Sequence, residues 1–259
     1  MKLGCQIGSI QGTTEEAGEL LQQLGIVGLE VFSSRFNPYY DKKEDLIALL
    51  DRYGIQISGA YFGHNGLVLA EEKESALEAG YRVIDFLAEI NGGFLVVNGG
   101  ISNRERPDGY TERDFEQFGE VLNSLGKHGA EKNVGVVVHP HIDQTVVTCE
   151  ELERLLPYLD TSNVGLCLHA AHQYFADVDP YEMYEKYAHL VRYLHIGETG
   201  ADKEGELLGE GELDQDRLMK RILGSGYDGW LIMESSKEGV APADYIEHGS
   251  NYIRSKSWA

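Results

Sequence analysis

The sequence predicts an α/β fold: a closed (β/α)8 TIM barrel built as a single domain over residues 1–259. Three observations predict it. Eight short apolar runs alternate with stretches of helical hydrophobic spacing. A length of 259 residues is what such a barrel needs, and no linker, charge run or low-complexity tract divides it. The main competitor, a doubly wound open sheet, more often carries a Gly-rich phosphate turn after its first strand. Here IGSIQGTTEE stands in that place and does not match G-x-G-x-x-G.

Taken in order, the first strand is expected at Leu3–Gly8 and the first helix at Glu15–Leu24. Ala17, Leu20, Leu21 and Leu24 share one face of that helix, and acidic residues sit in its first turn. Strand two is expected at Gly28–Phe32, with a helix at Lys43–Tyr53 on Leu46, Leu49 and Leu50. Strand three, Ile55–Phe62, leads to a helix at Leu77–Ile90 with Tyr81, Ile84 and Leu87. Strand four, Phe94–Asn98, leads to Thr111–His128, which opens on the capping-box pattern Thr-Glu-Arg-Asp. Strand five, Val134–His139, is followed by Cys149–Leu159 with Thr148 as a cap. Strand six, Val164–His169, is followed by Asp179–Tyr187, where Pro180 suits a first turn. Strand seven, Val191–His195, precedes a helix at Asp214–Gly226, and strand eight is Trp230–Glu234.

The balance of 22 Lys+Arg against 43 Asp+Glu gives a formal net charge of −21. A nucleic-acid binder needs cations to neutralise phosphates, so nucleic acid is not the expected partner. No apolar run approaches the ~20 residues that cross a bilayer, and the opening MKLGCQIGSIQG lacks the apolar core of a secretory signal. Three cysteines at no metal-finger spacing read as buried thiols, so a cytoplasmic location is expected. A neutral, hydroxyl-rich small molecule fits the charge best.

The last four strands each close on a residue that can bind a metal. VGVVVHPH reaches His139, VGLCLHAAH reaches His169, VRYLHIGE reaches His195 and GWLIMES reaches Glu234. Successive members lie roughly one βα unit apart, so they stand on adjacent staves at the barrel mouth, where such barrels keep their active sites. A lone histidine at a strand end is commonly a hydrogen-bonded core residue. Four matched polar residues are hard to place in a core, because each unpaired buried polar group costs ~1–3 kcal/mol. Three imidazoles and a carboxylate make a divalent metal site the first expectation.

These stretches also carry a resemblance. GLEVFS, HPHIDQTVVTCEELERLL, GLCLHAAH, LHIGET, LLGEGELD and GYDGWLIMES together resemble the xylose-isomerase-like superfamily of sugar isomerases, epimerases and inosose dehydratases. The resemblance covers nearly the whole chain and is strongest from Val134 to Glu234. It implies Glu, Asp, His and Glu ligands at the ends of strands five to eight, binding Mn2+ or a similar ion such as Zn2+, Co2+, Ni2+ or Fe2+. His195 and Glu234 match in type. His169 stands where the family's Asp-x-x-His has its aspartate, His172 keeps that motif's histidine, and His139 occupies the first glutamate's place.

The family's epimerases use two metal-bound glutamates to exchange protons on opposite faces of a substrate, and here one of the pair is a histidine. HPHIDQTVVT is more similar to the His-rich fifth strand of inosose dehydratases. The resemblance therefore implies a lyase acting on a keto-sugar, keto-glycoside or keto-cyclitol. A proton leaves beside the carbonyl and a β-oxygen or aglycone is lost, through an enediolate held at the metal. Keto-glycoside lyases and C-glycoside deglycosidases are related branches. An epimerase or isomerase sharing the enediolate is the alternative. Two further readings are a non-catalytic sugar-binding barrel and an endonuclease, the latter opposed by the charge of −21.

The acid–base candidates are His141, two residues beyond His139 on the same face of an ideal strand, then His64 in YFGHNG. Glu30 on strand two is read as an acid, a hydroxyl ligand or an inward structural residue. Substrate contacts are assigned to His172, Phe32, Arg35 and Glu198. His172 also suits the orienting of a ligand through its ring N–H. Phe32 belongs to an aromatic group after strands two and three, against which a sugar ring can stack. Arg35, with Arg104, is read as a phosphate clamp or as a plain surface residue, and Glu198 heads the acidic loop Glu198–Asp214. The pattern leaves open a homo-oligomer or a small partner subunit.

Overall fold

The computed structural model describes residues 1–106 and 108–259 and has the expected closed barrel. Its strands are β1 (Lys2–Gln6), β2 (Gly28–Phe32), β3 (Gln56–Phe62), β4 (Phe94–Val97), β5 (Gly135–Val138), β6 (Val164–Leu168), β7 (Val191–Ile196) and β8 (Trp230–Met233). Each pairs in parallel with its neighbours in sequence, and β1 meets β8 through Cys5 opposite Met233. The α-helices are α1 (Ile7–Ile10), α2 (Thr14–Gln23), α3 (Lys43–Tyr53), α4 (Lys73–Glu89), α5 (Glu112–Lys132), α6 (Cys149–Leu155), α7 (Ala170–Phe175), α8 (Glu182–Tyr187), α9 (Gln215–Gly224) and α10 (Pro242–Ser255). Among the described residues no helix is long and apolar enough to cross a membrane.

Helix starts follow local chemistry. Thr13 with Glu16, Thr111 with Asp114 and Thr148 with Glu151 form reciprocal capping boxes on α2, α5 and α6. Each satisfies backbone N–H groups that a helix start leaves without partners, a contribution of about 1 kcal/mol per cap. Several boundaries differ from the sequence reading. β1 stops at Gln6, because the Gln6 side chain accepts the Gly8 N–H at 2.6 Å and turns the chain into α1. α8 starts after Pro180, since Asp179 Oδ1 accepts the Tyr181 N–H at 2.8 Å and holds that residue in a turn. α5 runs past His128 to Lys132 and closes on Asn133 at φ 59°. α7 and α10 were not expected. α10 lies against the barrel through Tyr245, Ile246 and Ile253, and the tail beyond it buries Trp258 edge-on to Tyr252.

Strand alternation sorts the core into two layers. Val96, Val137, Cys167, Tyr193, Trp230 and Ile232 fill the inside of the barrel. Their strand neighbours, among them Val136, Val138, Leu166, Leu168, Leu194, Leu231 and Met233, face the helices with Leu21, Leu87, Phe115, Phe118 and Leu125. All three cysteines are buried free thiols.

Candidate metal centre

The two-residue period of a strand carries straight from this inner layer to the mouth. Val137 points into the barrel, so His139 does too. Cys167 is followed by His169, Tyr193 by His195 and Ile232 by Glu234 in the same register. The ladder extends one residue beyond the strands to hold the rim: the His139 N–H donates to Val97 O at 2.7 Å and the Glu234 N–H to Ile196 O at 3.0 Å. His169 follows β6 directly and opens α7.

One ligand atom from each of His139, His169, His195 and Glu234 lies within 4.8 Å of the other three. Glu234 Oε2 is the hub, 3.7 Å from His139 Nε2, 3.2 Å from His169 Nδ1 and 2.5 Å from His195 Nδ1. His139 Nε2 and His195 Nδ1 are nevertheless buried without a hydrogen-bond partner. Ring nitrogens that crowd one oxygen yet make no hydrogen bond suit coordination of a common cation. His139 fixes its tautomer by donating Nδ1–H to Cys167 O at 3.0 Å. His195 Nε2 bonds Glu30 Oε2 at 2.8 Å, which turns Nδ1 toward Glu234. This carboxylate–imidazole arrangement is the usual support of a metal-ligating histidine. Gly197 is required here by close approach: a Cβ on it would lie 2.6 Å from His169 Nε2.

The electrostatics follow from the packing. Burial opposes a charge on His195, but Cys167, Glu30 and Glu234 around it prevail and raise its pKa well above the ordinary value. Burial likewise opposes a charge on Glu234, yet His195 and His169 hold its carboxyl well below the usual range. His139 is driven well below the usual imidazole range by burial and by His195, so it presents a neutral nitrogen. A cation held between these groups would compete with a proton on His195, so binding would be proton-coupled.

His141 and His172 join the cluster. Their ring centroids are 3.8 Å apart, and His172 stands 5.2 Å from His139 and 4.6 Å from His169. Tyr61 lies edge-on to His139, His141 and Phe32, its hydroxyl accepting from Asn98 Nδ2 at 3.1 Å. Phe32, 38% exposed, is an apolar face at this rim.

Other expected residues have different tasks. Glu30 is fully buried and acts through His195; burial raises its carboxyl pKa although His195 pulls the other way. His64 stays out of the histidine cluster: Nδ1 accepts the Gly66 N–H at 3.0 Å, capping a short 3-10 turn, and the ring stacks on Phe62. Arg35 donates to Gly12 O at 3.1 Å, and the exposed Arg104 pairs with Asp143. Glu198 is a loop anchor. Its two oxygens accept from Thr199 N, Gly209 N, Leu213 N and Gln215 Nε2 at 3.1–3.2 Å, which takes up the acceptor capacity expected for substrate. Gln6 was not singled out in the sequence. Its Nε2 donates to Glu234 Oε1 at 3.3 Å, and an amide at the end of β1 carries no distinctive sequence signal.

The sequence model of the xylose isomerase-like TIM barrel matches residues 19–256. The chain belongs to this family. Among its relatives, inosose dehydratase of Clostridium botulinum is 26% identical and that of Clostridium tetani 25% identical, each over 95% of this chain and 91% of the relative. Solved structures of the family's fold superpose closely. IolI protein with a bound zinc atom gives a TM-score of 0.82 at 15% identity, covering 100% of this chain and 99% of the other. The 3-keto-D-glucoside 4-epimerase YcjR of E. coli gives 0.80 at 19% identity, covering 98% and 99%.

Proposed function

We propose that this chain is a divalent-metal-dependent lyase that eliminates water or an aglycone from a keto-cyclitol, keto-sugar or keto-glycoside. The observation that carries the reading is the donor set: three imidazoles and one carboxylate, with unpartnered nitrogens facing Glu234. A single carboxylate at the centre leaves no second one to exchange a proton on the opposite face, which favours elimination over epimerisation. Similarity to inosose dehydratases along 95% of the chain supports the same class. The residues fit Mn2+ as the ion, and the imidazole-rich set also suits Zn2+, Co2+, Ni2+ or Fe2+. When bound, such an ion supplies the positive charge that acidifies a C–H beside a carbonyl.

His139, His169, His195 and Glu234 hold the ion, and Glu30 holds His195. His141 donates Nδ1–H to Ile142 O at 2.7 Å, which leaves Nε2 with a free lone pair to take the substrate proton. The His172 ring lies against it, where a ring N–H can bind the departing oxygen. Phe32 and Tyr61 form the wall for an apolar sugar face. In the overall step a C–H and a β C–O bond break, a C=C bond forms, and water or the aglycone departs.

The test is incubation of the Mn2+-loaded protein in deuterated water with a keto-cyclitol and a 3-keto-glucoside. An unsaturated product or released aglycone is expected. A deuterated stereoisomer without elimination would make the chain an epimerase. Binding without turnover and without stoichiometric metal would leave a sugar-binding barrel.

A further inference from the structure

A second group of imidazoles abuts the first. His139, His141 and His172 each place a ligand nitrogen within 4.8 Å of the other two. The His139 ring is 5.5 Å from that of His141 and 5.2 Å from that of His172. Two carbonyls set the tautomers. The Nδ1–H groups of His139 and His141 are spent on Cys167 O and Ile142 O, so both rings have Nε2 lone pairs to offer. His172 is 7% exposed, yet neither of its ring nitrogens has a partner. A buried donor or acceptor left in this way costs stability, so the ring calls for an occupant that satisfies it. A trapped water would serve as well as a cation, and the experiment below separates the two.

We propose that His139, His141 and His172 form a second cation seat, built from imidazole alone, which takes a zinc-class ion (Zn2+, Co2+ or Ni2+) and shares His139 with the first. The inference rests on reading the four-residue cluster as a metal centre. Because the Nδ1 of His139 is engaged, its Nε2 serves one ion at a time, and the two seats compete. An oxygen-preferring ion such as Mn2+ settles on the side of Glu234. A zinc-class ion, which prefers imidazole to carboxylate, settles instead on the second seat and engages His141 and His172 there. Zinc therefore withdraws the proposed base and its neighbour from the substrate, and the identity of the metal sets whether the site is active.

The experiment is equilibrium dialysis of the full chain against Mn2+ and, separately, Zn2+, with bound metal measured by mass spectrometry. Wild type is compared with His172→Gln, and thermal melting serves as the folding control. Zn2+ affinity is expected to fall at least ~10-fold in the variant, while Mn2+ affinity stays within about twofold. His141→Gln reproduces the result and carries the test if His172→Gln does not fold. Equal losses for both metals overturn the proposal, because His172 then acts through the ligands of one seat. No loss for either metal also overturns it and leaves a water site. Failure of wild type to bind Mn2+ speaks against the four-residue centre alone, and the Zn2+ comparison still decides the second seat.

Discussion

Glu234 and Glu198 are two carboxylates on neighbouring strand ends, the first half-buried and the second fully buried, and the loops that carry them touch where Ser235 Oγ donates to Glu198 O at 3.4 Å. Glu198 has both oxygens filled, with three donors from its loop and one from the start of α9 closing around it. Gly209, at φ +87°, supplies one of those N–H groups from a backbone conformation that side chains disfavour. Glu234 differs in kind. Its Oε2 is approached by three imidazoles from three other strands, two of whose facing nitrogens make no hydrogen bond. The more deeply buried of the two is the anchor, so burial does not mark function. Completed partners mark a structural anchor, and unpartnered donors that converge mark a binding centre.

The largest expected effect breaks the comparison at Glu234. Glu234→Gln lowers divalent-metal affinity by more than ~10²-fold, beyond what loss of an outer supporting group costs, and abolishes turnover with it. Calorimetric titration checks the affinity, and a change under tenfold would remove Glu234 from the ligand set. The converse change comes next. Glu198→Ala leaves four donors without their acceptor and lowers unfolding free energy by about 3 kcal/mol, with metal stoichiometry unchanged. Denaturant unfolding and metal analysis of the same sample measure the two sides.

The smallest effect is a pH dependence. Burial raises the Glu198 carboxyl above its ordinary value of 4.5, although its four donors pull it down. The folded state then binds this proton more tightly than the unfolded chain. The contribution is fully present below the unfolded value and is lost as pH rises through the folded one. The stability difference between wild type and Glu198→Gln therefore grows as pH falls from 7 toward 4.5. Denaturation at pH 7 and pH 5 checks the sign, and a shrinking difference would place the carboxyl pKa below 4.5.

Much of this was legible in the chain. The barrel rhythm showed because each inner strand is a continuous apolar run. The metal candidates showed because a polar residue ends four such runs in matching register. Thr111 and Thr148 announced their helices through capping side chains that act within one turn. Other features were not legible. α7 has six residues, too few for a periodic signal, and most of it is buried. His64 and His139 both follow an apolar strand, yet one caps a turn and the other faces the centre, a difference set by side-chain partners brought in from elsewhere.

The sequence by itself determined the barrel, the inward parity of His139, His169, His195 and Glu234, and the surplus of negative charge. Those properties depend on local pattern, on alternation along a strand and on composition. Tertiary structure alone decided that Glu30 would support His195, that His172 would press against His141 with both nitrogens unengaged, and that Glu198 would serve its own loop. The reason is closure. Glu30 and His195 are 165 positions apart, and a barrel that joins its first strand to its last brings such residues within hydrogen-bonding distance.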